Sequence, residues 1–227
     1  MTEPREKPIL FSGPMVQAIL AGRKTQTRRV LKPQPDTSKI SAPFHPEPRG
    51  DRQWVFMARD DFPGYSYATE DFKTPYAVGD LLWVREAWRP VGSLSECTGP
   101  EDIRYRATAS DAECATATWR PSIHMPREFS RITLRVTAVK VERLQDISET
   151  DAIAEGFARV SKDGQLFKYG IPDRDGLPGD DSVGWPWREW RADPRDAFQV
   201  LWSSINGPDS WEPNPWVAAY TFERVKP

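Results

Sequence analysis

The sequence predicts an α+β fold, a partly open β-barrel flanked by short helices, and three observations carry that expectation. Residues 131–141, RITLRVTAVKV, alternate apolar and polar side chains, which is the period of a half-buried strand. Other strand-like runs recur along the chain between turn residues, whereas helical spacing appears in only three short windows. The order is strands, one early helix, more strands, two late helices and a last strand. That order suits antiparallel strands curling on themselves with helices outside.

The elements follow in order. Residues 8–11, PILF, read as a strand. Ser12-Gly13-Pro14 then opens a helix with Pro in its first turn. Met15, Val16, Ile19 and Leu20 fall at helical spacing, and Gly22 is placed to end a helix over 14–21. In RKTQTRRV, residues 23–30, the alternation of Thr25, Thr27 and Arg29 suits a strand leaving it. Residues 33–75 are dense in Pro, Asp and Arg and read as an insertion with one strand at 53–58, QWVFMA. After a Gly79-Asp80 turn comes a strand over 81–88, LLWVREAW. Residues 92–101 form a loop, and 103–107, IRYRA, another strand. Residues 119–125, WRPSIHM, make an edge or irregular strand because of Pro121.

On the long strand, Ile132, Leu134, Val136, Ala138 and Lys140 share one face by strict alternation. Ser148, with Asp151 three residues on, caps a helix over 146–157 that Gly156 ends. Residues 158–193 are a second insertion, rich in Gly, Asp and Trp, whose Trp185, Trp187 and Trp190 are expected to cap the barrel by burying area. Phe198, Val200, Leu201, Trp202 and Ile205 give a helix over 194–205. Residues 216–225, WVAAYTFERV, form the closing strand. Residues 1–227 thus read as a single domain carrying two Pro- and Trp-rich insertions.

Composition bounds the function. The chain has 227 residues, enough to bury a core without staples. Apolar residues make up 38%, below the usual share of roughly 45–50%, and Pro reaches 22 residues, which fits long surface segments. Aromatics at 11% argue against disorder. Lys and Arg number 31 against 33 Asp and Glu, a net charge of -2. No dedicated double-stranded DNA binding is expected of that balance, though a local basic pocket fits within it. Cys97 and Cys114 form no CxxC pair, and His45 and His124 are the only histidines. No disulfide, metal or other cofactor is expected. No apolar run approaches the roughly 20 residues of a membrane span, and residues 1–8 lack a signal-peptide core. A cytoplasmic protein without a membrane partner is expected.

Three stretches together resemble one family. AILAGRKTQTRR runs from Ala18 to Arg29, GDLLWVREAW from Gly79 to Trp88, and LWSSIN is followed by WVAAYTFERV at the tail. RVTAVKVERLQDIS and AIAEGF stand between them in the same order. GRKTxTxR is the most specific part and GDxLWVRE supports it. The chain resembles the ASCH family of the PUA-like superfamily, and among its members the long ones carried by phages and prophages. The resemblance implies a small PUA-like β-barrel with a cleft beside the first helix, and a link to RNA metabolism. One branch, of shorter chains, hydrolyses N4-acetylcytidine with a Lys, a Thr three positions on and a Glu on a later strand. Lys24, Thr27 and Glu86 match those positions. The implied function is a metal-independent amidohydrolase acting on an N4-acylated cytidine-type nucleoside. The alternatives are a non-catalytic module that binds RNA or a modified nucleotide, and a ribonuclease using the same cleft.

Amide hydrolysis needs a nucleophile, a base to activate it and an acid for the leaving amine. Thr27 offers a hydroxyl, and Thr25 shares its face of the strand. Lys24 points to the opposite face of an ideal strand, a difficulty removed if it sits in the bend after Gly22. Burial and the neighbouring Arg23, Arg28 and Arg29 would lower its pKa towards that of a base, while Glu86 would raise it. Two arrangements stay open: Lys24 as base with Glu86 protonated or bonded elsewhere, and Lys24 as a charged clamp with Glu86 activating water. A plain Lys24–Glu86 ion pair competes with both. The forks of Arg28 and Arg29 suit a phosphate or carboxylate, or a solvated strand end. Trp88 shares the face of Glu86 and would stack on a base, or fill the core. The resemblance puts Ser122 and His124 beside the cleft. A nucleoside or RNA is the expected partner.

Overall fold

The computed structural model describes residues 5–38, 44–58, 71–179 and 184–225. Parts of the two expected insertions, 39–43, 59–70 and 180–183, lie outside the described residues. In chain order the elements are β1 (Glu6–Leu10), α1 (Gly13–Leu20), β2 (Gln26–Val30), β3 (Phe44–Pro48), β4 (Gln53–Ala58), β5 (Phe72–Lys73), β6 (Leu81–Arg85), β7 (Trp88–Pro90) and β8 (Ile103–Tyr105). They continue with α2 (Asp111–Thr116), β9 (Thr133–Arg143), α3 (Glu149–Ala154), β10 (Ala158–Ser161), β11 (Phe167–Gly170), α4 (Pro194–Asn206) and β12 (Trp216–Val225). The fold is α+β, mostly strands with few helices.

The main sheet has five strands in the order β1-β6-β9-β12-β2. β1 runs parallel to β6, and the other pairs are antiparallel. No sheet among the described residues closes into a barrel, which corrects the expected barrel at this level. β1 and β2 are the two edges and share no ladder. Yet the Arg29 guanidinium donates from Nη2 to the Leu10 carbonyl at 2.7 Å, so one side chain reaches from the β2 edge to the end of β1. We call this gap the seam.

β9 departs from strict alternation. In its ladder with β12, Thr221 faces Ala138 but Phe222 faces Val136, so Thr137 is an extra residue. Such a bulge shifts the pleat by one residue. Ile132, Leu134 and Val136 are buried before it, but Ala138 and Lys140 are exposed after it, and Val141 is buried instead. The expected five-residue face therefore ends at Val136.

Both insertions carry strands that their composition hid. The first holds a three-stranded sheet, β3-β4-β5. Pro46 and Pro48 mask β3, and β3 is an edge strand, where Pro is tolerated. Phe56 of β4 is fully buried and packs on Phe44, Phe72 and Trp216 with ring centroids 4.6–5.2 Å away. The second insertion holds the β10-β11 hairpin. Trp190 is buried over Gly170, where a Cβ would meet its ring at 2.4 Å. Trp185 and Trp187 are half-buried, and Trp185 packs on Phe157. The expected strand over 81–88 stops at Arg85 and resumes as β7. Residues 119–125 make one bridge, Arg120 to Trp88, and then a 3-10 turn at Ser122–His124, because Pro121 has no N–H to give.

The core lies between the main sheet and helices α1 and α4. Val16, Leu82, Leu134, Val217 and Tyr220 are fully enclosed. Each such aliphatic side chain contributes about 1.5–3 kcal/mol relative to exposure. A second cluster joins Trp88, Ile103, Tyr105, Met125 and Phe129. No helix among the described residues is long and apolar enough to cross a membrane.

Candidate functional site

Gly22 fixes where Lys24 stands. Its φ of +74° follows the last turn of α1, the left-handed conformation that suits glycine at a helix end. The N–H groups of Arg23 and Lys24 then both return to the Ala18 carbonyl, at 2.9 and 3.1 Å. Lys24 therefore sits in the bend, ahead of β2, and not on a strand face.

From the bend Lys24 turns inwards and is 3% exposed. Its Nζ donates to the Gln26 carbonyl at 2.9 Å, the Glu155 carbonyl at 2.8 Å and Glu155 Oε2 at 2.7 Å. Three protons thus meet three acceptors. Burial pushes its pKa down; Glu155 opposes this, and the charges of Arg29 and Arg28 add to the lowering. Gly156 makes room for the lysine stem, since a Cβ there would lie 2.9 Å from Ala18 Cβ and 3.1 Å from Lys24 Cβ.

Arg28 lies on the other side of Glu155. Its Nε donates to Glu142 Oε1 at 2.9 Å, and Nη1 to Gln26 Oε1 at 2.7 Å and Glu155 Oε1 at 3.1 Å. Asp151 Oδ2 stands 3.3 Å from Nη2. Lys140 Nζ closes the group, 2.6 Å from Glu142 Oε2. Lys24, Arg28 and Lys140 thus balance Glu142, Asp151 and Glu155. A buried set of charges persists only when paired and hydrogen-bonded in this way.

Above this network lies a cavity of about 530 Å³, between the end of β1, the start of α1, β2 and α4. Lys24, Thr27, Arg28, Arg29 and Glu155 line it, with Phe11, Phe198 and Trp202 among its apolar walls. Thr27 is 4% exposed and stands opposite Tyr220 in the ladder. No hydrogen bond fixes its hydroxyl among the described residues. The Phe11 ring lies between two cations, Lys24 Nζ at 5.6 Å and Arg29 Cζ at 5.3 Å, distances at which the ring face attracts them.

Glu86 stands elsewhere. It is 1% exposed and held by a two-pronged ion pair, Arg131 Nε to Oε1 at 2.9 Å and Nη2 to Oε2 at 3.0 Å. Arg131 also stacks on Tyr105, 3.9 Å from the ring centroid. Burial pushes the Glu86 carboxyl up, and Arg131 pulls it back. It does not line the Lys24 cavity. The strand breaks just before it, so ladder alternation no longer sets its direction. The carboxylate beside Lys24 is Glu155, 131 residues away in sequence. The sequence offers one signal for it, a lone acid immediately before the helix-ending Gly156.

The remaining expected residues separate. Trp88 is 1% exposed, packs on Phe129 at 5.3 Å, and so fills the second core cluster and offers no face to a ligand. Thr25 and His124 are exposed and Arg23 is half-buried, and none of them lines the cavity. Ser122 lines it, and also lines a smaller adjoining cavity of about 270 Å³. Phe11 and the α4 wall were not foreseen. The described residues hold no group of three or more His, Cys, Asp or Glu side chains placed for a metal ion. Compared with known proteins, the chain matches no family model, no curated protein and no solved structure.

Proposed function

We propose that the cavity hydrolyses an amide, removing the acyl group from the exocyclic nitrogen of a cytidine-type nucleoside. One observation carries the reading: a buried hydroxyl without a fixed partner, Thr27, shares a cavity with a desolvated lysine, Lys24. The size of the cavity, about 530 Å³, suits a nucleoside, and its walls combine aromatic faces with a few polar groups. The resemblance of GRKTQTRR to the ASCH family supports the same reading, and a sheet whose edges approach at a seam suits a PUA-like plan.

The proposed steps use this chain's own groups. In the resting state Lys24 is an ammonium facing the Glu155 carboxylate at 2.7 Å. Burial lowers the Lys24 pKa, and the active form is the one in which that proton has been lost to solvent. The amine then takes the Thr27 hydroxyl proton as Thr27 Oγ1 bonds to the acyl carbon. The carbon–nitrogen bond breaks, and the leaving amine receives that proton from Lys24. Water attacks the resulting ester, giving its proton to Lys24 and then on to the departing Thr27 oxygen. The acid is released, and Lys24 is again the free amine. In this scheme Glu155 takes the place that the sequence suggested for Glu86.

A second reading, a non-catalytic seat for a modified nucleotide, is favoured by the three acceptors around Lys24 Nζ. They hold the ammonium charged until something perturbs Glu155. Incubation with N4-acetylcytidine, followed by chromatography for cytidine, separates the two. Cytidine formed by the wild type and not by Thr27→Val supports hydrolysis at this site. Binding without product supports the seat.

A further inference from the structure

The cavity carries positive charge that no ion pair among the described residues answers. Around it, Lys24 and Arg28 are spent on Glu155, Glu142 and Asp151, and Lys140 completes the balance. Two lining cations remain outside this group, Arg29 and Lys32. Neither has a carboxylate within ion-pair distance among the described residues. Arg29 is half-buried, and its one hydrogen bond goes to the Leu10 carbonyl. A guanidinium has five N–H donors. None of the Arg29 nitrogens is a fully enclosed atom without a hydrogen-bond partner, in contrast to Arg23 Nε. Its remaining donors therefore keep some exposure, and Arg29 itself lines the cavity. Lys32, exposed just beyond the end of β2, stands at the rim.

A half-buried guanidinium with open donors suits a planar or tetrahedral oxyanion, which it meets with two parallel bonds. We infer that the ligand of this cavity is a nucleoside carrying a phosphate, with the phosphate on Arg29 and Lys32 and the base against the wall formed by Phe198 and Trp202. This inference rests on the nucleoside reading above and deepens it. The phosphate could belong to a free nucleotide or to a short single strand, and the chemistry at Arg29 is the same for both. Arg28, which the sequence offered beside Arg29 for this role, is occupied by its three carboxylates.

The test is titration calorimetry with three probes: cytidine, cytidine 5′-monophosphate, and a trinucleotide with cytidine at its centre. The wild type is expected to bind at least one phosphorylated probe about tenfold or more tighter than cytidine, as one charge-assisted contact implies. That preference, read as a ratio of affinities, should fall towards one in Arg29→Gln and shrink with rising salt. Lys32→Gln, at an exposed rim position where folding is not at stake, should reduce the ratio in part. A tighter monophosphate points to a free nucleotide, and a tighter trinucleotide to a chain. Equal affinity for all three probes, binding of none, or a preference that survives both substitutions overturns the inference. The hydrolysis reading stands or falls separately. Cytidine released from N4-acetylcytidine with no preference for phosphate leaves hydrolysis standing and this inference lost. An Arg29-dependent preference without any amide cleavage does the reverse.

Discussion

Thr27 is where chemistry and architecture separate most cleanly. Thr27→Val keeps the branched shape and removes a hydroxyl that no described residue bonds. Turnover of N4-acetylcytidine should fall to background, while the unfolding free energy from urea titration should change by no more than about 1 kcal/mol. Lys24 behaves differently. Lys24→Met removes the charge opposite Glu155, whose side chain is 5% exposed. Breaking one half of a buried pair costs about 3–5 kcal/mol, so this variant should lose both activity and stability in a denaturation curve. The same environment sets a pH dependence. Burial holds the Lys24 pKa below the ordinary lysine value, with Arg29 adding to the lowering. The rate should rise with pH through an apparent pKa below that value, and Arg29→Gln should move the limb upwards. A limb at the ordinary lysine value, unmoved by Arg29→Gln, would argue against Lys24 as base.

At the scale of elements, helix ends were readable because their signals are local. Gly22, Ser148, Gly156 and Gly207 all mark ends that the chain uses, and β4 and β12 fall where their patterns put them. Gly156 does more than end α3. Its φ of +117° and the 2.9 Å approach to Ala18 Cβ leave no room for a side chain. Gly156→Ala should therefore destabilise by more than about 1 kcal/mol and disturb Lys24, seen as a lower thermal midpoint together with lost turnover. Lys24, Thr27 and Arg29 were legible for the same local reason, being within one bend and one short strand. Glu155 was not, because its partner lies across 131 residues of chain. Glu86 and Trp88 were read from an unbroken strand, and the break after Arg85 removed the premise. β3 was hidden by its prolines, which only an edge position accommodates.

Across the whole molecule, the question is what ties the insertions to the main sheet. Arg52, between β3 and β4, donates to Asp80 Oδ1 and Oδ2 at 2.8 and 2.6 Å, and Asp80 stands just ahead of β6. Asp80 also accepts from the Ala77 N–H at 2.9 Å. Burial alone would raise its pKa, but the Arg52 and backbone bonds outweigh it and hold the carboxyl below the ordinary aspartate value of 3.8. A depressed acid stabilises the fold above its unfolded pKa, and the contribution is lost as pH falls through the folded one. Asp80→Asn should thus be less stable than the wild type at neutral pH, and the gap should narrow as pH falls below 3.8. Urea midpoints measured across that range check it. The α+β class was legible from patterning alone, but the order of strands in the sheet and the parallel β1–β6 pair were not. Whether the sheet closes was not, since closure depends on how its edges meet, and no local residue pattern records that.

The single surplus residue in β9 acts as a phase shifter for everything downstream of it. Before Thr137 the even-numbered side chains face the apolar interior, and after it the odd-numbered ones do. The adjacent pair Ala138-Val139 is the trace this leaves in the sequence, two apolar neighbours in a stretch that otherwise alternates. Had the strand kept its first phase, Lys140 and Glu142 would have been driven in among Leu134, Val136 and their neighbours, at several kcal/mol for each ion. Val139 and Val141 would have shared the face of Arg28 in their place. The half-step instead puts Glu142 on the face of Arg28, which it joins at 2.9 Å, beside the Glu155 that Arg28 shares with Lys24. An irregularity three residues from the nearest member of the charge network thus decides which side of the sheet can hold ions at all.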